Sequence, residues 1–123
     1  MSLLAAPALA GETANLVMKA GADYRATLTW TTPGTGTAVN LTGNSYSAEF
    51  RSAPYPSGTL FARYSTIVTN SAAGQMQLRL SRAQTQANSG KAGVWDLKQT
   101  DAAGTVSYRF GGTVKVLPTV TAP

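Results

Sequence analysis

The sequence predicts an all-β domain, an antiparallel β-sandwich of about seven strands with one short helical turn. Three observations carry that reading. Apolar and polar residues alternate with a period of two along nearly the whole chain, as in strands buried on one face. Clusters of Gly, Pro, Asn and Asp cut the alternation at intervals of roughly ten residues. The 123 residues, 43% of them hydrophobic, suffice for one sandwich-sized core and argue against a second domain.

The clearest strand is Tyr24 to Thr32, with Tyr24, Ala26, Leu28 and Trp30 on an apolar face and Arg25, Thr27, Thr29 and Thr31 on a polar one. Thr32-Pro33-Gly34-Thr35-Gly36-Thr37 is turn chemistry, because proline presets φ and glycine permits positive φ. A second turn, Leu41 to Asn44, leads into a strand in which Tyr46, Ala48 and Phe50 alternate with Ser47, Glu49 and Arg51. Pro54, Pro56 and Gly58 then force a break before a strand near Thr59 to Thr66. After the turn Asn70 to Gly74, Met76, Leu78 and Leu80 form the apolar parity of another strand. Ser81-Arg82-Ala83-Gln84 matches a capping box, so one or two helical turns over Ser81 to Asn88 should cross between sheets. The last third reads as a hairpin: Gly93 to Thr100, a turn at Asp101 to Gly104, and a long strand from Thr105 to about Val120. Val106, Tyr108, Phe110, Val114 and Val116 share one parity there, and Gly111-Gly112 suggests a bulge or a close backbone approach.

Composition limits the chemistry. Without cysteine or histidine there is no thiolate nucleophile, no zinc site of the usual kind and no Ser-His-Asp triad, so no cofactor or metal is expected. Ten basic residues against five acidic ones give a net charge of +5. They are spread along the chain rather than gathered in a stripe, which argues against nucleic acid as a partner. The opening MSLLAAPALAG lacks the positive n-region of a secretory signal, and Pro7 interrupts its apolar run, which is also too short to span a membrane.

Few residues stand out as sites. Of the carboxylates, Asp23 and Asp101 sit in turn contexts and Glu49 on a polar parity, so catalysis by a carboxylate pair is not expected. Asp96, mid-strand between Trp95 and Leu97, calls for a structural partner such as Arg109 or Lys98. Asn40-Leu41-Thr42 reads as a turn rather than a glycosylation acceptor. Trp30, Trp95, Tyr108 and Phe110 fall on apolar parities and are expected in the core. Tyr55, between two prolines, and Tyr64 are candidate contacts for a partner, as are Leu3, Leu4 and Leu9 of an apolar arm with no evident place in its own core. The expected organisation is an N-terminal arm over residues 1–13 and a sandwich over 14–121.

The order of six short motifs adds a resemblance. Ala22-Asp23-Tyr24-Arg25-Ala26-Thr27-Leu28-Thr29-Trp30, Val39-Asn40-Leu41-Thr42-Gly43, Gly74-Gln75-Met76-Gln77-Leu78 with Leu80-Ser81, Trp95-Asp96-Leu97, Gly104 and Gly112-Thr113-Val114-Lys115-Val116 follow one another along the chain. Together they resemble a family of small immunoglobulin-like virion structural proteins of tailed phages and prophages, including domains similar to the N-terminal domain of baseplate upper proteins. The resemblance spans about residues 13–121. It implies an immunoglobulin-like fold and a non-enzymatic assembly role in the virion, at the tail tip, baseplate or fibre-attachment region. The partners it implies are other virion proteins and further copies of this chain, with neither nucleic acid nor membrane. Decoration of the capsid surface is the alternative location. A carbohydrate-binding module is the rival from another class, and its mark would be two or three aromatics on one exposed face.

Overall fold

The computed structural model describes residues 4–5, 12–31 and 35–121. It is all-β apart from one short helix, and its sheet is nearly closed into a barrel. The strands are β1 (Leu4–Ala5), β2 (Glu12–Thr13), β3 (Leu16–Lys19), β4 (Tyr24–Trp30), β5 (Ser45–Arg51), β6 (Leu60–Asn70), β7 (Gln75–Leu80), β8 (Ala92–Thr100) and β9 (Val106–Leu117), with α1 (Arg82–Ala87) between β7 and β8. Their order in space is β1-β4-β7-β6-β5-β8-β9-β2, and β3 also pairs with β9. All neighbours from β4 round to β9 are antiparallel, whereas β1 joins β4, and β2 and β3 join β9, in parallel.

Strand β6 makes the curvature. Its first half, Leu60 to Tyr64, pairs with β5, and its second half, Ser65 to Asn70, pairs with β7. One eleven-residue strand therefore belongs to both halves of the sheet and bends it round a single core. The strand runs on to Asn70, past the Thr66 that residue pattern suggests, because the turn that ends it is the one at Ser71 to Gly74. The inward parities meet as expected: Leu28, Trp30, Phe50, Met76, Leu78, Leu97, Phe110, Val114 and Val116 are buried. Trp30 packs edge-on against Phe110 and Tyr46, with ring centroids 5.0 and 5.8 Å apart. Interlocked edge-on pairs of this kind add roughly 0.5–1.5 kcal/mol beyond their buried area.

The capping box forms in full. Ser81 Oγ accepts from the Gln84 amide at 3.2 Å, and Gln84 Oε1 accepts from the Ser81 amide at 3.0 Å. Asp23 accepts from the Arg82 amide at 3.0 Å, and the buried Thr85 hydroxyl donates to the Ala22 carbonyl at 2.9 Å, so the helix is tied to the β3–β4 turn. The helix carries the chain from β7, beside β4, to β8, beside β5 and β9, as the sequence indicates.

On β9 one expectation changes and one alternative is decided. The register shift lies between Leu97 and Lys98, which face Phe110 and Tyr108, so Arg109 is the extra residue. Phe110 points inward at 1% exposure, but the bulge turns Tyr108 and Val106 to the outside, at 53% and 49%. Tyr108 is therefore a surface residue and not core. Gly111-Gly112 is the close approach rather than the bulge: a Cβ on Gly112 would stand 2.1 Å from the Ala14 carbonyl oxygen. That same oxygen accepts from the buried Trp95 indole at 2.8 Å, and this ties the start of the domain to β8.

Candidate functional site

The outer side of β5, β8 and β9 carries an open cleft of about 750 Å³. Its floor is set by register. Glu49 on β5 faces Asp96 on β8, Arg51 faces Val94, Ser47 faces Lys98, and Lys98 in turn faces Tyr108 on β9. Arg63 on β6 faces Glu49 from the other side. One bank is Tyr108, placed there by the bulge, and the other is the loop that presents Tyr55.

That loop is tightly tied for an irregular segment. The Ser52 amide donates to the Thr59 carbonyl at 3.0 Å, the Thr59 amide donates to Ser52 Oγ at 2.9 Å, and the Gly58 amide donates to the Pro54 carbonyl at 3.2 Å. Arg51 donates to the Gly58 carbonyl at 3.1 Å, and its guanidinium lies 5.2 Å from the centre of the Tyr55 ring. Gly58 is required here: a Cβ would meet the Ala53 backbone oxygen at 1.8 Å. The result is an aromatic held at 77% exposure by a folded loop.

The charges of the cleft divide into paired and unpaired. Glu49 accepts from Arg51 at 2.9 Å and from Arg63 at 3.0 Å. Desolvation raises its pKa, but the hydrogen bonds and charges of the two arginines outweigh that and leave it below the usual carboxylate range. Asp96, on the same rung, has no hydrogen bond or ion pair among the described residues. Desolvation and the neighbouring Glu49 charge raise its pKa against the opposing pull of Arg51. The structural partner expected for Asp96 is not Lys98, and the Arg109 side chain lies outside the described residues. Asp96 lies on the exposed parity of β8 rather than in the core, so burial does not force the pairing on it.

The other sequence candidates are distributed as follows. Tyr55 is exposed, as its loop suggests. Tyr64 is not a surface anchor: it is 6% exposed, edge-on to Trp95, with a buried hydroxyl that has no hydrogen-bond partner among the described residues. It falls inside because Ala62 and Tyr64 share the inward parity of β6. Burial, with the neighbouring Tyr24 as a lesser cause, pushes the Tyr64 pKa up, and burial pushes that of Tyr24 to about 12. Leu3 and Leu9 lie outside the described residues, while the backbone of Leu4 pairs with Thr29 of its own chain. Asn40 accepts from the Thr42 amide at 2.9 Å, and Asp101 accepts from the Ala103 and Thr105 amides, so both are turn residues. Sequence reasoning set Lys98 beside Asp96 but missed Glu49 and Tyr108 as their neighbours, because only the β5–β8–β9 register brings those together.

Among the described residues no group of three acidic or other metal-ligating side chains could hold a metal ion, and no helix is long and apolar enough to cross a membrane. No protein-family model matches the chain, and no curated protein matches it significantly.

Proposed function

We propose that this chain is a non-enzymatic structural module of a tailed-phage virion, an immunoglobulin-like domain that joins larger subunits at the tail tip, baseplate or fibre-attachment region. The strand order is the observation that supports this reading. With β3 taken as the first strand, β4, β7 and the second half of β6 follow the B-E-D order of an immunoglobulin sheet, and β5, β8 and β9 follow C-F-G. The motif resemblance of residues 13–121 points the same way. The unbroken β6 departs from two separate sheets and is the feature that draws them towards a barrel.

The non-enzymatic part rests on geometry. Glu49 and Asp96 stand on one rung of one sheet face and project the same way. Hydrolysis of a glycosidic bond needs two carboxyl groups on opposite sides of that bond, roughly 5–9.5 Å apart. Glu49 and Asp96 instead project from one side, and Glu49 is already engaged by Arg51 and Arg63, which favours a structural role for that rung. Assembly contacts are assigned to strand edges and the N-terminal arm, where backbone pairing from a neighbour adds a strand at little cost in shape complementarity.

The test is a count of copies per particle by quantitative mass spectrometry of virions made by the genome that encodes the chain. A few to a few dozen copies is the expected result and places it at the tail. Hundreds of copies would move it to the capsid surface, and absence from purified particles would overturn the virion assignment.

A further inference from the structure

We propose that the cleft between Tyr55 and Tyr108 is a saccharide-binding site. The inference does not depend on where the protein resides. Two tyrosines, 77% and 53% exposed, stand on opposite banks of one cleft on one face of the sheet. Arg51 lies against the Tyr55 ring, and each tyrosine ring offers the cleft an apolar surface together with a polar tip. A pyranose has the matching chemistry, with C–H bonds on its ring face and hydroxyls at its edge.

The floor selects among ligands. Asp96 is an acceptor and Lys98 a donor, neither having a partner among the described residues, while Arg63 is already engaged with Glu49 yet has a side chain 72% exposed. Sugar hydroxyls both donate and accept, so one ligand can satisfy a carboxylate and an ammonium that stand side by side. A nucleic acid would need a row of cations free to take its phosphates, and here Arg51 and Arg63 are both engaged by Glu49. A protein anchor would look for a desolvated apolar pocket, and the floor offers charged side chains instead. The hydrogen-bonded loop 52–59 holds Tyr55 in place before any ligand arrives, which removes part of the ordering cost of binding.

The experiment is a binding screen of the full chain against immobilised neutral oligosaccharides (cello-, malto-, chito- and manno-series) and acidic ones (hyaluronan, alginate and polygalacturonate), followed by titration of the best binder. Binding to at least one series is expected, with affinity falling about tenfold or more in Tyr108→Ala and in Tyr55→Ala. Asp96→Asn should weaken binding of a neutral sugar and strengthen that of an acidic one, which tells the two sources apart. Arg25→Ala, on the opposite face, should leave binding unchanged. Both tyrosines are exposed, so the variants keep their fold, and the melting temperature checks that. No binding by the wild-type chain to any series, or binding indifferent to both tyrosine substitutions, would overturn the proposal.

Discussion

The two outer faces of the sheet have the same kind of underside and different surfaces. Outside β4 and β7 the rungs are Thr27–Gln77, Thr29–Gln75 and Arg25–Arg79, made of hydroxyls, amides and two arginines, with no carboxylate on any of them. Outside β5, β8 and β9 both signs of charge meet on adjacent rungs, two tyrosines rise at the sides, and a cleft results. The inward parities are alike, because both halves close one core. The difference comes from two interruptions of the period-two pattern, the loop at residues 52–59 and the extra residue at Arg109. Regular strands make the fold here, and the irregularities make the site.

The largest effect that can break this comparison is on β9 itself. Phe110 and Tyr108 are two residues apart, and regular alternation would put both rings in the core. With the bulge between them, Phe110→Ala should cost about 3–5 kcal/mol through the lost contact with Trp30 and the cavity left behind. Tyr108→Ala should change stability by about 0.5 kcal/mol or less. Urea denaturation of the two variants checks this, and equal large losses would place Tyr108 inside after all.

A smaller effect sharpens the contrast within the cleft. Ionised Asp96 has a raised folded-state pKa, so the unfolded chain gives up that proton more readily, and ionisation favours unfolding at neutral pH. Asp96→Asn should therefore raise the melting temperature at pH 7. The gain should vanish as pH falls below the unfolded carboxylate value of about 4. Glu49 has the opposite sign: its folded pKa is lowered, so its contribution is present above the unfolded value and is lost as pH falls through the folded one. Glu49→Gln should lower the melting temperature at pH 7 by a few degrees, equivalent to about 1 kcal/mol or less for a partly exposed pair. Thermal melts of both variants from pH 2 to 8 should give curves that depart from wild type in opposite directions and converge in acid.

The sequence made the framework legible where the signal is local. The capping box at Ser81 and Gln84 needs only three residues of spacing, and it forms as read. The alternation in β4, β5 and β7 survives because those strands are regular over the stretch that carries the pattern. Tyr55 was legible as exposed because prolines on both sides keep it out of a strand. Tyr108 was misread because nothing in Ser107-Tyr108-Arg109-Phe110 marks a bulge: the glycines that would suggest one stand after it, where they admit the Ala14 backbone. Tyr64 was misread because its inward parity was not recognised. The cleft was beyond reach, since the Glu49–Asp96 rung depends on which strands pair and in what register, and no local pattern encodes that.

The smallest effect belongs to the other face, and it tests whether that face is electrostatically idle or slightly unfavourable. Arg25 and Arg79 stand directly opposite across β4 and β7. Arg79 is held in place by two hydrogen bonds to Gln77 Oε1, at 3.0 and 2.8 Å, so it cannot swing far from its neighbour without giving them up. Like charges on one rung destabilise a sheet by roughly 0.2–1 kcal/mol. Arg25→Gln should therefore stabilise the protein by about that amount in dilute buffer. The gain should shrink as salt is raised towards 1 M, where the Debye length falls to about 3 Å. Melting temperatures of the variant and the wild type across a salt series check it. A gain that persists unchanged in high salt would trace to the strand packing of glutamine rather than to charge, and the arginine rung would then be neutral.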